Sequence, residues 1–170
     1  KELRAALEES VEEGALDPAW LAWKEDATIS VAVGDGWLID DPAPFTFLPM
    51  SDDASSPLSG HINAPFVTDF ARLGVDGEQP VNRLLIRKIA DLCAIAADTL
   101  IARKLAANTV VDLLAWSGPY AAVIEEAVEG RYDCALGEFL RLPAIGSDVW
   151  PGLIELNRWP GSDCAVVTPE

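Results

Sequence analysis

Pro80 opens the longest periodic segment of the sequence, and that segment limits what the rest of the chain can fold against. From Val81 to Leu105, the residues Leu85, Ile89, Leu92, Cys93, Ala96 and Leu100 fall on one face of a 3.6-residue repeat, while Arg83, Arg87 and Asp91 follow one another at i, i+4 on another. The spacing predicts a helix of about 25 residues, roughly 37 Å long. Its apolar face needs a layer to cover, and the upstream sequence supplies short β-type runs for a small sheet.

Upstream, Lys1 to Ala15 is rich in Glu, Ala and Leu, with Leu3, Leu7 and Val11 in one stripe and Gly14 near the natural stop, which predicts a surface helix. Asp17-Pro18 reads as an N-cap followed by proline at the first helical position, ahead of a short apolar turn carrying Trp20, Leu21 and Trp23. Thr28 to Val33 alternates and is β-branched. Gly34-Asp35-Gly36 follows it as a tight turn into Trp37-Leu38-Ile39, so a β-hairpin is expected there. Prolines between Asp40 and Pro44 end that hairpin before Phe45-Thr46-Phe47-Leu48 begins another strand. Ser51 to Gly60 reads as a mobile polar loop, and His61-Ile62-Asn63 as the returning strand, with Pro65 placing it at an edge or an end.

Downstream, Asn108-Thr109 reads as the cap of a shorter helix over Val110 to Trp116, broken by Ser117-Gly118-Pro119 before helical patterns over Tyr120 to Glu129 and Cys134 to Leu140. Trp-Pro-Gly occurs at Trp150 to Gly152 and again at Trp159 to Gly161, around an apolar turn over Leu153 to Leu156, and Val166-Val167 is expected to form a last short strand. The fold class read from this order is α+β: a small antiparallel sheet of about 3–5 strands packed against one long helix and followed by several short helices. Residues 1–106 form a strand-rich, middle-like domain with the long helix, and 107–170 a mostly helical continuation of the same compact unit. The chain begins at Lys1 rather than Met with a helical pattern already running, which reads as a piece of a larger protein.

Composition narrows the function classes. With 28 acidic against 12 basic residues and a net charge of −16, the chain lacks the clustered Lys/Arg face that nucleic acid or an anionic membrane requires. No run of about 18 uncharged apolar residues and no secretory signal pattern is present. The acidity and the three widely spaced cysteines, Cys93, Cys134 and Cys164, fit a soluble protein of the reducing cytoplasm. Cys93, inside an apolar helical pattern, reads as a buried small hydrophobe.

His61 is the single histidine, so a Ser-His-Asp system would have to use it, with Ser59 nearby but no G-x-S-x-G elbow and no defined orienting acid. The simpler reading is a histidine hydrogen-bonded at a strand–loop junction, with Asn63 beside it as a second binding candidate. Metal ligation is not expected, because Asp40-Asp41 and Asp52-Asp53 are adjacent acids that diverge on an extended chain. Arg72 is the one basic residue between Lys24 and Arg83 other than His61. At the end of a loop it serves either as a planar clamp for phosphate or carboxylate or as a salt-bridge partner on an acidic surface.

A family resemblance bears on that choice. A Leu/Trp-rich turn before an I-x-V strand (Trp20 to Val33) comes first, then F-x-F-L-P (Phe45 to Pro49), G-H-I-N-A-P-F (Gly60 to Phe66), Arg72 and P-x-N-R-L-L (Pro80 to Leu85). In that order they resemble the segment after the nucleotide-binding domain in bacterial proteins with a sacsin-like, heat-shock-chaperone-like ATPase of the GHKL class. The later Val110-Val111-Asp112-Leu113-Leu114, Leu142-Pro143 and Trp150 are similar to the downstream part of the same segment in such proteins.

The resemblance implies a middle or coupling region of an ATP-binding protein, with Arg72 reaching towards a γ-phosphate, the upstream nucleotide-binding domain as one partner and a protein client as another. It also implies that ATP and Mg belong to the intact protein. The family's Asn-bearing helix, Asp-x-Gly-x-Gly turn and Gly-rich lid are missing from this sequence, so no cofactor is expected in this chain and it is a poor ATPase alone. Two readings stand beside this one. The first is a free-standing acidic interaction module using Trp20, Trp23 or the Trp-Pro-Gly turns. The second is a small hydrolase using His61.

Overall fold

The long helix is α2, Pro80–Ala102, 23 residues and about 34 Å long. It organises a computed structural model that describes residues 1–34, 39–51, 54–68, 73–143, 150–152, 157–158 and 166–167. Four helices accompany it: α1 (Glu2–Glu12), α3 (Ala107–Leu114), α4 (Ala121–Tyr132) and α5 (Leu136–Phe139). Helices α1, α3 and α4 all pack on α2. Three neighbours bury a wider arc than a single sheet face would. Val81, Leu85, Ile89, Cys93 and Ala97 are buried at i, i+4 steps, joined by Ile86, Ala90 and Ala94, while Leu92, Ala96 and Leu100 from the expected stripe are half-buried. The alanines let neighbouring helices approach closely.

Local signals account for the helix ends. Gly14 takes φ +74° just beyond α1, where an L side chain would be strained. Asp17 caps the 3-10 turn Pro18–Ala22 by accepting the Ala19 N–H at 2.8 Å. Of its aromatics, Trp23 packs partly against the core and Trp20 is 38% exposed. The third helix departs from expectation: Asn108 and Thr109 lie inside the first turn of α3 rather than capping it, and Ala106 supplies the preceding turn at φ +48°. The Thr109 hydroxyl instead donates to the Gly34 carbonyl at 3.3 Å, tying α3 to the end of the first strand.

Four strands form the main sheet, β1 (Ser30–Val33), β2 (Pro44–Thr46), β3 (Leu48–Pro49) and β4 (Gly60–Asn63), in the order β1-β4-β2-β3. The α+β class holds, with a mixed rather than wholly antiparallel sheet, because β2 and β4 are parallel. The chain path requires this. Strand β3 returns the chain to the end where β2 began, and β4 sets out from that end beside β2. The partner of β1 is β4, in antiparallel register from Ser30↔Asn63 to Val33↔Gly60. Pro65 therefore follows the end of a central strand. Two further strands, β5 (Asn157–Arg158) and β6 (Val166–Val167), pair antiparallel.

The segment expected to be a polar loop is instead packed over its described residues. Ala54, Ser56 and Leu58 are buried, the Ser56 N–H donates to the Pro42 carbonyl at 3.0 Å, and the Ser117 N–H donates to the Pro57 carbonyl at 2.8 Å. Pro151 and Gly152 fold back in a similar way: the Leu142 N–H donates to the Pro151 carbonyl at 3.2 Å, and Arg141 bridges to Gly152. Asp35 to Leu38, Asp52-Asp53, Arg72, Leu153 to Leu156, the second Trp-Pro-Gly and Cys164 lie outside the described residues. Among the described residues, no helix is long and apolar enough to cross a membrane.

Two glycines test this packing with opposite signs. A Cβ at Gly60 would sit 2.5 Å from the Ala32 carbonyl oxygen across the β1–β4 pair, whereas a Cβ at Gly130 in α4 meets nothing within 4 Å. Gly60→Ala should cost about 2 kcal/mol through forced separation of the strands, and Gly130→Ala should gain about 0.5–1 kcal/mol of helix propensity. Urea denaturation of both variants checks the pair; equal effects would contradict the β1–β4 register.

Candidate functional site

Alternation along β4 turns Gly60 and Ile62 to the core and leaves His61 and Asn63 together on the other face, both half-buried. Each is used by the neighbouring ribbon. His61 Nδ1 accepts the Ala43 N–H at 3.2 Å, and the imidazole meets the Phe45 ring edge-on at 5.2 Å between centroids. Because a backbone N–H can only donate, Nδ1 is the unprotonated nitrogen and a neutral ring carries its proton on Nε2. A Ser-His-Asp base needs the reverse, with Nδ1–H given to an acid and Nε2 free to take the serine proton. The bonding of His61 is therefore that of a strand-to-ribbon tie, and Ser59 is exposed.

Asn63 Oδ1 accepts the Phe47 N–H at 3.4 Å. Phe47 is the single residue between the paired Thr46 and Leu48, and it takes φ +63° with 87% of its surface exposed. A bulky side chain in that region costs on the order of 1–3 kcal/mol. Asn63 thus braces a strained turn at the sheet end.

Among the described residues, the most heavily bonded polar side chain is one that sequence reasoning does not single out. Asn82, at 0% exposure, sits at the third position of α2. Its Nδ2 donates to the Val67 carbonyl at 2.8 Å and to the Asp76 carbonyl at 2.9 Å, and its Oδ1 accepts the Val67 N–H at 2.8 Å. The amide completes Val67 as a neighbouring strand would. Its own backbone N–H is capped by Gln79 Oε1 at 2.8 Å, and Gln79 Nε2 donates to Ser10 Oγ at 3.1 Å. Ser10 then donates to the Ala6 carbonyl at 2.7 Å, so α1 joins the network.

Tyr120 holds the segment just before α2 from the other side. Its hydroxyl donates to the Val75 carbonyl at 2.9 Å, and its ring lies so close to Gly77 that a Cβ there would be 2.5 Å from Cε1. Burial first, then the charges of Asp76 and Glu78, hold the phenol above its ordinary pKa and keep it a donor. A cleft of about 240 Å³ opens here, walled by Pro44, Ile62, Ile86, Val75, Ser117 and Tyr120. Among the described residues these walls carry no charged side chain.

Arg72 lies outside the described residues, so the three residues singled out from sequence reduce here to His61 and Asn63, which do share a face. No cluster of three or more His, Cys, Asp or Glu side chains placed to hold a metal occurs among the described residues. Burial pushes the Cys93 thiol up to about 12, the response of a core group. No family model matches the chain, and neither a curated protein nor a solved structure matches it.

Labelling, pH titration and mutation test this geometry. At pH 8 a thiol reagent should label the half-buried Cys134 in the native protein and reach Cys93 only on unfolding, as peptide mapping would resolve. The unfolded Cys93 thiol ionises near 9 and the folded one near 12, so the stability it lends should fade as pH rises through that window. Asn82→Ala removes the partner of three part-buried backbone groups and should cost about 2 kcal/mol or more in denaturant titration. It should also speed hydrogen exchange of the Val67 N–H by about tenfold or more, the factor matching about 1.4 kcal/mol of easier local opening. A loss below about 1 kcal/mol would show that the network is dispensable.

Proposed function

We propose that this chain is a non-catalytic middle or coupling region of a larger sacsin-like, chaperone-like ATP-binding protein, and that it transmits nucleotide state to a protein partner or client. The observation that supports this reading is the Asn82 clamp. Asn82 belongs to the P-x-N-R-L-L run, and it holds Val67 and Asp76, which lie on either side of Arg72 in sequence. An arginine that answers to a γ-phosphate works only if its backbone is well placed, since a 1 Å error costs about 100-fold in rate. Held flanks are what such a residue needs. The same amide sits on a helix about 34 Å long, a stiff element able to carry displacement away from the sheet.

In this reading ATP and Mg are bound upstream, and this chain contributes Arg72 alone. His61 and Asn63 support the sheet and do not touch nucleotide. The alternative, an acidic interaction module, is favoured by one observation of its own: Phe47 and Leu48 are exposed far more than Trp20.

The test is made in the full-length polypeptide. Arg72→Ala should lower kcat for ATP hydrolysis by about 100-fold while leaving nucleotide Kd within about twofold, the pattern of a contact formed in the transition state. Unchanged turnover, or a reading frame with no nucleotide-binding domain upstream, would remove this proposal.

A further inference from the structure

The bond between His61 and Ala43 is of a kind that a proton can break. Imidazole is the side chain whose ordinary titration falls between about pH 5 and 8, and His61 is the single histidine of the chain. In the neutral ring one nitrogen accepts and the other donates, whereas in the cation both donate. Nδ1 here accepts the Ala43 N–H at 3.2 Å, so a proton on Nδ1 would set one N–H against another. The bond exists only for the neutral ring.

The surroundings of the ring offer a cation no ion pair. Across the ladder His61 pairs with Ala32 of β1, a strand without a charged residue. From β2 the neighbouring side chain is Phe45, at 5.2 Å between ring centroids, and an aromatic ring holds an imidazole in place whether or not it is charged. Asp40 and Asp41 are the charged residues nearest to Ala43 in sequence. Among the described residues, neither they nor any other charged side chain is hydrogen-bonded or ion-paired to His61. A proton therefore acts on the Ala43 bond alone.

That bond sits where the parallel β2–β4 pair begins. The Ala43 carbonyl accepts the Ile62 N–H at 3.3 Å, and Pro44, the next residue, has no N–H to give. Ala43 is thus gripped from β4 at both of its backbone groups, by Ile62 at one and by His61 at the other. Further along, the Ala64 N–H donates to the Phe45 carbonyl at 3.2 Å. A pair this short has few bonds to lose.

We propose that His61 is a proton-operated latch: the neutral ring fastens the start of the β2–β3 ribbon to the central strand, and the protonated ring releases it. Because the accepting form is the neutral one, the contribution is present at pH 8 and falls as the pH drops through the acid side of neutrality. The proposal goes beyond nucleotide coupling and stands or falls separately from it.

Nitrogen NMR of the imidazole and amide hydrogen exchange test it on the whole chain. At pH 8 the spectrum should show Nδ1 bare and Nε2 protonated. Between pH 8 and pH 5.5 the protection factor of the Ala43 N–H should fall by about fivefold or more relative to that of the Val67 N–H, whose partner Asn82 does not titrate. Neither readout needs a variant. His61→Asn places an oxygen acceptor near the position of Nδ1 and does not titrate, so it should keep the pH 8 protection within about threefold and lose the pH dependence. His61→Phe should show low protection at both pH values. A protonated Nδ1 at pH 8, equal Ala43 protection at the two pH values, or a pH dependence that persists in His61→Asn would overturn the proposal.

Discussion

A buried primary amide at the start of the long helix is the interaction on which the other elements depend. Asn82 is wholly out of water, and an amide in that position destabilises a fold unless each of its groups is bonded. Here both Nδ2 hydrogens and Oδ1 are used, on Val67 and Asp76, and Gln79 caps the backbone beneath it while reaching Ser10 in α1. The segment before α2, the end of the sheet and α1 therefore meet on one turn of helix. Such a network is close to all-or-none, since a partly satisfied one is worse than an apolar core. The register of α2 against the end of the sheet follows from it more than from the apolar stripe, whose leucines and alanines would tolerate small slides.

The sheet uses its polar side chains differently. His61 and Asn63 face away from the core and bond to Ala43 and Phe47, so the central strand holds the short β2–β3 ribbon through side chains as well as through the ladder. This explains how strands of two to four residues persist at all. Strands that short are marginal when they rely on backbone pairing alone.

Periodic features are the ones legible in the sequence. The long helix shows in its 3.6-residue period, α1 in its stripe and Gly14, β4 in the run His61-Ile62-Asn63. Single contacts with distant partners carry no period. Asn82 in a first helical turn looks like an ordinary polar position, and only its bonds to the backbone of Val67 and Asp76 reveal its task. Ser51 to Gly60 reads as solvated because serines, aspartates and glycine dominate it, yet Ala54, Ser56 and Leu58 are buried and the segment bonds to Pro42 and Ser117. The parallel β2–β4 pair is hidden for a topological reason: a hairpin turn after β1 is a local signal, whereas the return of β4 beside β2 depends on where β3 leaves the chain. His61 and Asn63 read as polar groups at a strand end, and only the folded chain shows that their partners are backbone N–H groups.

The two polar systems are joined by a very short path. From Asn63, which braces Phe47, the chain runs through buried Ala64, Pro65 and Phe66 to Val67, which Asn82 holds. Along the way the Ala64 N–H donates to the Phe45 carbonyl at 3.2 Å, and the Phe66 carbonyl accepts the Thr46 hydroxyl. The exposed tip is therefore joined to the start of α2 through residues 63–67, whose last member, Val67, is bonded to Asn82. Packed cores transmit loads with little compression, and hydrogen-bonded backbone without a side-chain hinge absorbs less still. Contiguity alone does not make a switch, which needs two arrangements of nearly equal energy.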